Sequence, residues 1–64
     1  AIRYCKMAIE KGNSNAMNNY ALMLDKGDGV DVNKEEAIKY YQMAIEKGNL
    51  EAIHNYEHMH KKED

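Results

Sequence analysis

Apolar residues along this chain fall at helical rather than strand spacing. Ala37, Tyr40, Tyr41, Ala44 and Ile45 lie at i, i+3, i+4, i+7 and i+8, one stripe of a 3.6-residue helix. Ala16, Tyr20, Met23, Leu24 and Gly27 make a similar stripe earlier in the chain. Turn residues separate the stripes. Gly12 and Gly48 suit the left-handed position just past a helix C-terminus. Asn13 and Asn49 follow them and suit the N-cap of the next helix. Gly27-Asp28-Gly29 makes another break, and Asn33 with Glu36 three residues on resembles a capping box with Asn in place of Ser or Thr. The pattern predicts four helices, over about 1–11, 14–26, 34–47 and 50–61.

The helices come in copies. Ala1-Ile2-Arg3-Tyr4 returns as Ala37-Ile38-Lys39-Tyr40, a shift of 37 − 1 = 36 residues. Met7 to Asn13 returns letter for letter at Met43 to Asn49, and Ala16, Asn19, Tyr20 and Met23 return as Ala52, Asn55, Tyr56 and Met59. Of the 28 pairs that overlap, 16 are identical, which marks a true internal repeat. A period in the mid-thirties belongs to solenoids of helix pairs, in which no unit buries its apolar stripe without a neighbour. Alanines on the stripes let helix axes approach closely, and tyrosines fill the space around them.

The spacing Ala16-x3-Tyr20-Ala21-x2-Leu24-x2-Gly27-x-Gly29-Val30-x2-Asn33-x3-Ala37-x2-Tyr40-Tyr41-x2-Ala44-Ile45-x2-Gly48 resembles one full Sel-1-like repeat, a relative of the tetratricopeptide repeat. Two departures are minor: Ala21 stands where the family usually has Gly, and Asn33 where it prefers Asp. The resemblance covers the chain as a half repeat (1–12), a complete repeat (13–48) and a second half repeat (49–64). It implies an all-α fold, an α/α solenoid in which antiparallel helix pairs stack into a right-handed superhelix. It also implies a protein-interaction scaffold, with the first helix of each unit (first-type, 14–26 and 50–61) lining a concave face and the second (second-type, 1–11 and 34–47) behind it, and no enzyme.

The last helix departs further. Ala21, Leu22 and Leu24 are replaced by Glu57, His58 and His60, so the stripe that would receive another unit is polar. That favours a C-terminal cap over a degenerate unit, since end repeats need a wet outer face. The first helix is of the second type and lacks its partner. Preceding repeats, or another chain, are expected to cover that edge.

Length and charge narrow the functions. A chain of 64 residues forms one small domain with marginal burial, so a weakly stable monomer, or a dimer joined at the first helix, is expected. The formal net charge is −2 and no basic patch stands out, so nucleic acid is not an expected partner. No apolar stretch is long enough to span a membrane. The single cysteine, Cys5, excludes an intrachain disulfide and favours a reducing compartment, the cytoplasm. Cys5 occupies the position of Tyr41 in the next copy and reads as a structural thiol, with no base placed to activate it.

Three patterns invite chemistry and do not carry it. His54-Asn55-Tyr56-Glu57-His58 spells the inverted zincin string H-x-x-E-H, two histidines one turn apart with a glutamate. The same positions are Asn18 to Leu22 in the previous copy, so the string reads as drift at a terminal helix, and no third ligand is evident. Asp25 to Glu36 has calcium-loop length, but Gly27 and Gly29 stand where oxygen ligands are needed, and Val30 takes the place of the required glycine. Gly27-x-Gly29 lacks a Walker lysine or a dinucleotide-binding pattern, and Val30 is expected to tuck onto the core. No catalytic residue, metal or cofactor is expected. The methionines at 7, 17, 23, 43 and 59 read as core filler, and Lys61-Lys62-Glu63-Asp64 as a solvated tail.

Comparison of the two copies separates scaffold from surface. On first-type helices the differing positions are Ser14, Asn15, Asn18, Leu22 and Asp25 against Leu50, Glu51, His54, His58 and Lys61. Asn15, Asn18, Leu22 and Asp25 lie near one face by their spacing. Asn19 and Asn55 recur beside it, and their amides suit either a peptide backbone or a neighbouring turn. The expected partner surface is therefore Asn15, Asn18, Asn19, Leu22, Asp25, His54, Asn55 and His58. The expected partner is a protein or peptide. The alternatives are that the differing positions are simply replaceable surface, or an architectural role, in which the repeat edges meet neighbouring repeats or a second copy of the chain.

Overall fold

The computed structural model describes residues 2–62, and side chains over 3–60. Ala1, placed in the first predicted helix, and the Lys61-Lys62-Glu63-Asp64 side chains lie outside the described residues. Four α-helices follow in order: α1 (Ile2–Glu10), α2 (Ser14–Lys26), α3 (Lys34–Glu46) and α4 (Leu50–Lys62). No strand occurs among the described residues. Each helix packs on the next, the α2–α3 pair most extensively, and α2 also touches α4. The result is a slab of 34 × 26 × 14 Å, one helix layer wrapped into a short stack.

Short turns carry much of this order. At the α1–α2 turn, Gly12 N–H donates to the Ile9 carbonyl (2.9 Å) and Asn13 N–H to the Ala8 carbonyl (3.0 Å). That is the double bond pattern of a Schellman motif, and it satisfies the last carbonyls of α1. Asn13 then turns its side chain forward and accepts the Ala16 N–H (3.2 Å). One asparagine thus ends one helix and starts the next. Gly48 and Asn49 repeat the device, with Ala52 N–H bonded to Asn49 Oδ1 at 2.9 Å. The third cap is Asn33, which accepts the Glu36 N–H (3.1 Å). Its return bond differs from a capping box, because the Asn33 amide donates to the Glu36 carboxylate (3.2 Å).

The α2–α3 loop turns at Gly27, whose φ is +71°. A Cβ there would stand 2.7 Å from Val32 Cγ2 and 3.6 Å from the Val30 carbonyl oxygen. Gly27→Ala therefore combines a left-handed backbone penalty with a steric conflict. We expect a loss of about 1–2 kcal/mol from the backbone alone, read as a lower urea midpoint at an unchanged slope.

The core follows the predicted stripes. Ala37, Tyr41, Ala44 and Leu24 are buried together with Tyr20, and Val30 packs against them. Ala21, Ala37, Ala44 and Ala52 have no exposed surface, as close helix approach requires. Tyr20 meets Tyr40 edge-on at 4.9 Å and Tyr41 faces Tyr56 at 6.4 Å, so aromatic edges fill the space beside the alanines. Met17 and Met59 are core as expected. Met7 is not: it is 52% exposed, and Tyr4 is 75% exposed. Their repeat mates Met43 and Tyr40 pack against the core. The difference is one of neighbours, because Tyr40 leans on Tyr20 of α2 and no described helix stands in that position beside α1.

Candidate functional site

The first-type helices α2 and α4 lie side by side, held by asparagines. Asn49 sits at the start of α4, buried to 9% exposure. Its side-chain amide donates across to Asn15 Oδ1 (3.0 Å) and, at the limit, to Ser14 Oγ (3.5 Å). Two turns along, the Asn55 amide donates to Asn18 Oδ1 at 3.0 Å. Asn18 is 3% exposed, so it is a link between helices rather than part of the open face. These bonds fix the register of α4 on α2 at the polar end of their contact.

Farther along, the two helices part over α3 and leave a groove of about 300 Å3. Leu22, Asp25 and Lys26 of α2 form one wall, and His54, Asn55 and His58 of α4 the other. Tyr41 of α3 lies between them. Of the eight residues expected to meet a partner, Leu22, Asp25, His54, Asn55 and His58 therefore share one groove. Asn15 and Asn18 act behind it as acceptors for α4, and Asn19 is exposed outside it. The Asn55 amide bonds the Asn18 side chain within α2, which is neither a peptide backbone nor a turn.

Two lining residues escaped the comparison of copies. Lys26 is the same residue in both copies, as Lys62 is its mate. Tyr41 lies on the α3 stripe, whose spacing predicts packing alone. The signal for Tyr41 was its replacement at Cys5, the only α3 stripe position that changes from a thiol to a hydroxyl-bearing ring.

The polar groups of the groove are unevenly satisfied. The Asp25 side chain is 9% exposed and paired with the Lys34 ammonium, which also donates to the Asp25 backbone carbonyl (3.0 Å). This pair ties the end of α2 to the start of α3. The Tyr41 hydroxyl, by contrast, is buried and has no hydrogen-bond partner in the protein. Burial, and secondly the Asp25 charge, push its pKa up to about 12, so it is a neutral donor at any physiological pH. His54 and His58 stand one turn apart with ring centroids 6.4 Å from each other. His60 turns away and packs edge-on against Tyr56 at 4.4 Å. Among the described residues, no group of three or more His, Cys, Asp or Glu side chains is arranged to hold a metal ion.

The helical pairs, their asparagine caps and their 36-residue period agree with a family model. The Sel1 repeat model matches residues 1–13 and 14–49, together 1–49 of the 64 residues. The chain belongs to the Sel1 repeat family. Sel1 repeats are helical solenoid units and are in general non-enzymatic modules of protein interaction. Comparison with curated proteins and with solved structures gave no significant match. Among the described residues, no helix of this Sel1 segment is long and apolar enough to cross a membrane.

Proposed function

We propose that this chain is an adaptor segment that binds a partner protein through the face formed by α2 and α4. The observation that supports this reading is the groove. Four residues that differ between the copies, Leu22, Asp25, His54 and His58, meet there beside Asn55. Helix-face side chains around a groove are a common means of peptide recognition.

The test is affinity capture from the native source with the parent protein, a Leu22→Ala/His58→Ala variant, and a Glu46→Ala control outside the groove. Alanine at these helical sites keeps the helix. A partner held by parent and control and lost by the groove variant is expected. Equal capture by all three would sink the reading.

A second reading rests on a different surface. Tyr4 and Met7 expose apolar area on α1, and Asn13 and Asn19 repeat the positions from which Asn49 and Asn55 reach the preceding first-type helix. That edge has the chemistry of a repeat-stacking surface, for neighbouring repeats or a second copy. Capture of only the chain itself, lost on Tyr4→Ser rather than on the groove variant, favours this architectural role. The exposed polar residues Glu57, His58 and His60 on α4 are in keeping with a capping helix.

A further inference from the structure

We propose that the α2–α4 groove accepts an internal glutamate side chain of the partner, with the Tyr41 hydroxyl donating to its carboxylate. The inference rests on the groove reading above and adds the chemistry of what the groove takes. Its first support is the set of unused donors. Tyr41 is wholly buried, its hydroxyl has no protein partner, and it lines the groove. Buried hydroxyls without a partner are rare in native proteins and ask for an explanation. Lys26 lines the same groove, and no carboxylate lies within salt-bridge distance of it among the described residues. His54 and His58 add ring N–H groups on the opposite wall.

The second support is the state of the only acid. Asp25 is the one carboxylate lining the groove, and its Oδ1 is paired with the Lys34 ammonium. With Asp25 paired to Lys34, Lys26 leaves the groove one positive charge in excess, beside the Tyr41 hydroxyl as a donor. A carboxylate is the complement of that set, and hydrogen bonds to a charged acceptor are the stronger kind.

Depth decides between carboxylate sources. The Tyr41 hydroxyl is below the solvent-contact surface. An acceptor that reaches it has to be carried on a stem, past side chains such as half-buried Leu22 and exposed His58, whose rotamers change on fast timescales. A glutamate has such a stem, and its methylenes suit the Leu22 wall. A chain-terminal carboxylate has none, and reaching the floor would bury the end of the backbone.

The experiment is an NMR titration of the protein with three probes: N-acetylglutamate N-methylamide for an internal glutamate, N-acetylglutamine N-methylamide as its neutral isostere, and N-acetylglycine for a terminal carboxylate. Saturable shifts at the Leu22, Asn55 and His58 amides are expected with the glutamate probe, with a Kd of order 1 mM for so small a ligand. The glutamine probe and N-acetylglycine should bind about tenfold more weakly. Tyr41→Phe should weaken the glutamate probe about tenfold while its spectrum stays that of the folded protein. Equal binding of glutamate and glutamine, no saturation, or an unchanged Tyr41→Phe titration overturns the proposal. Tighter N-acetylglycine binding overturns it in favour of a chain terminus. If capture depends on Leu22 and His58 while the glutamate probe fails, the groove reading survives and only the ligand chemistry falls.

Discussion

Asn49→Ala should be among the most damaging polar substitutions in the chain, lowering stability by about 2–4 kcal/mol. Three losses combine. The Ala52 N–H loses its cap, the amide bonds to Asn15 and Ser14 disappear, and all of this happens at a site only 9% exposed. A cap alone is worth about 1 kcal/mol, and each net hydrogen bond about as much again. The internal control is Asn13→Ala. Asn13 holds the same repeat position and caps α2 through the Ala16 N–H, but it is exposed and makes no cross-helix side-chain bond among the described residues. It should cost about 1 kcal/mol. Asn49→Ser separates the parts, since serine keeps an acceptor for Ala52 and is too short to reach Asn15. Urea denaturation of the three variants measures the cap and the repeat-to-repeat bond separately. Equal losses at Asn13 and Asn49 would mean that the asparagine link between α2 and α4 contributes nothing.

The same pair shows what could be read from the chain and what could not. The caps, glycine turns and apolar stripes are local signals, and Asn13, Asn33, Asn49, Gly12 and Gly48 act where the pattern places them. Burial of a polar residue is not local. Asn18 and His54 occupy one repeat position, and their difference suggested a free surface. Yet Asn18 is 3% exposed because α4 lies over it, while His54 is exposed. Met7 against Met43 makes the same point for an apolar residue. In a stacked fold, a position's environment depends on the next unit in space. Two identical letters can therefore be core in one copy and surface in the other. Most of the groove was visible as differing positions, whereas its floor was not, because Tyr41 looked like one more packing ring on a stripe.

Tyr41 also gives the largest expected effect of any single residue, and the direction depends on what replaces it. Tyr41→Ala empties a site with no exposed surface at the meeting of α2, α3 and α4. Truncating a buried aromatic ring costs about 3–5 kcal/mol. A domain of this size has about 3–10 kcal/mol in all, so the variant should lose about a third of its stability or more, visible as a much lower urea midpoint of the helical circular dichroism. Tyr41→Phe removes only the hydroxyl. Because that hydroxyl has no protein partner, the variant should be as stable as the parent or more so. The two should also differ with pH. The folded chain holds the Tyr41 proton until about pH 12, above the ordinary value of 10 that the unfolded chain has. Between these values the unfolded state releases a proton that the folded state keeps. The Tyr41 contribution is thus fully present below pH 10 and is lost as pH rises to 12, by at most about 1.4 kcal/mol per pH unit. Tyr41→Phe lacks this term, so its advantage over the parent in urea melts should widen from pH 8 to pH 11. A constant difference would show that the hydroxyl is not buried in the folded chain. The Tyr41 hydroxyl is thus expected to lower stability rather than to add to it, on a residue that also lines the groove.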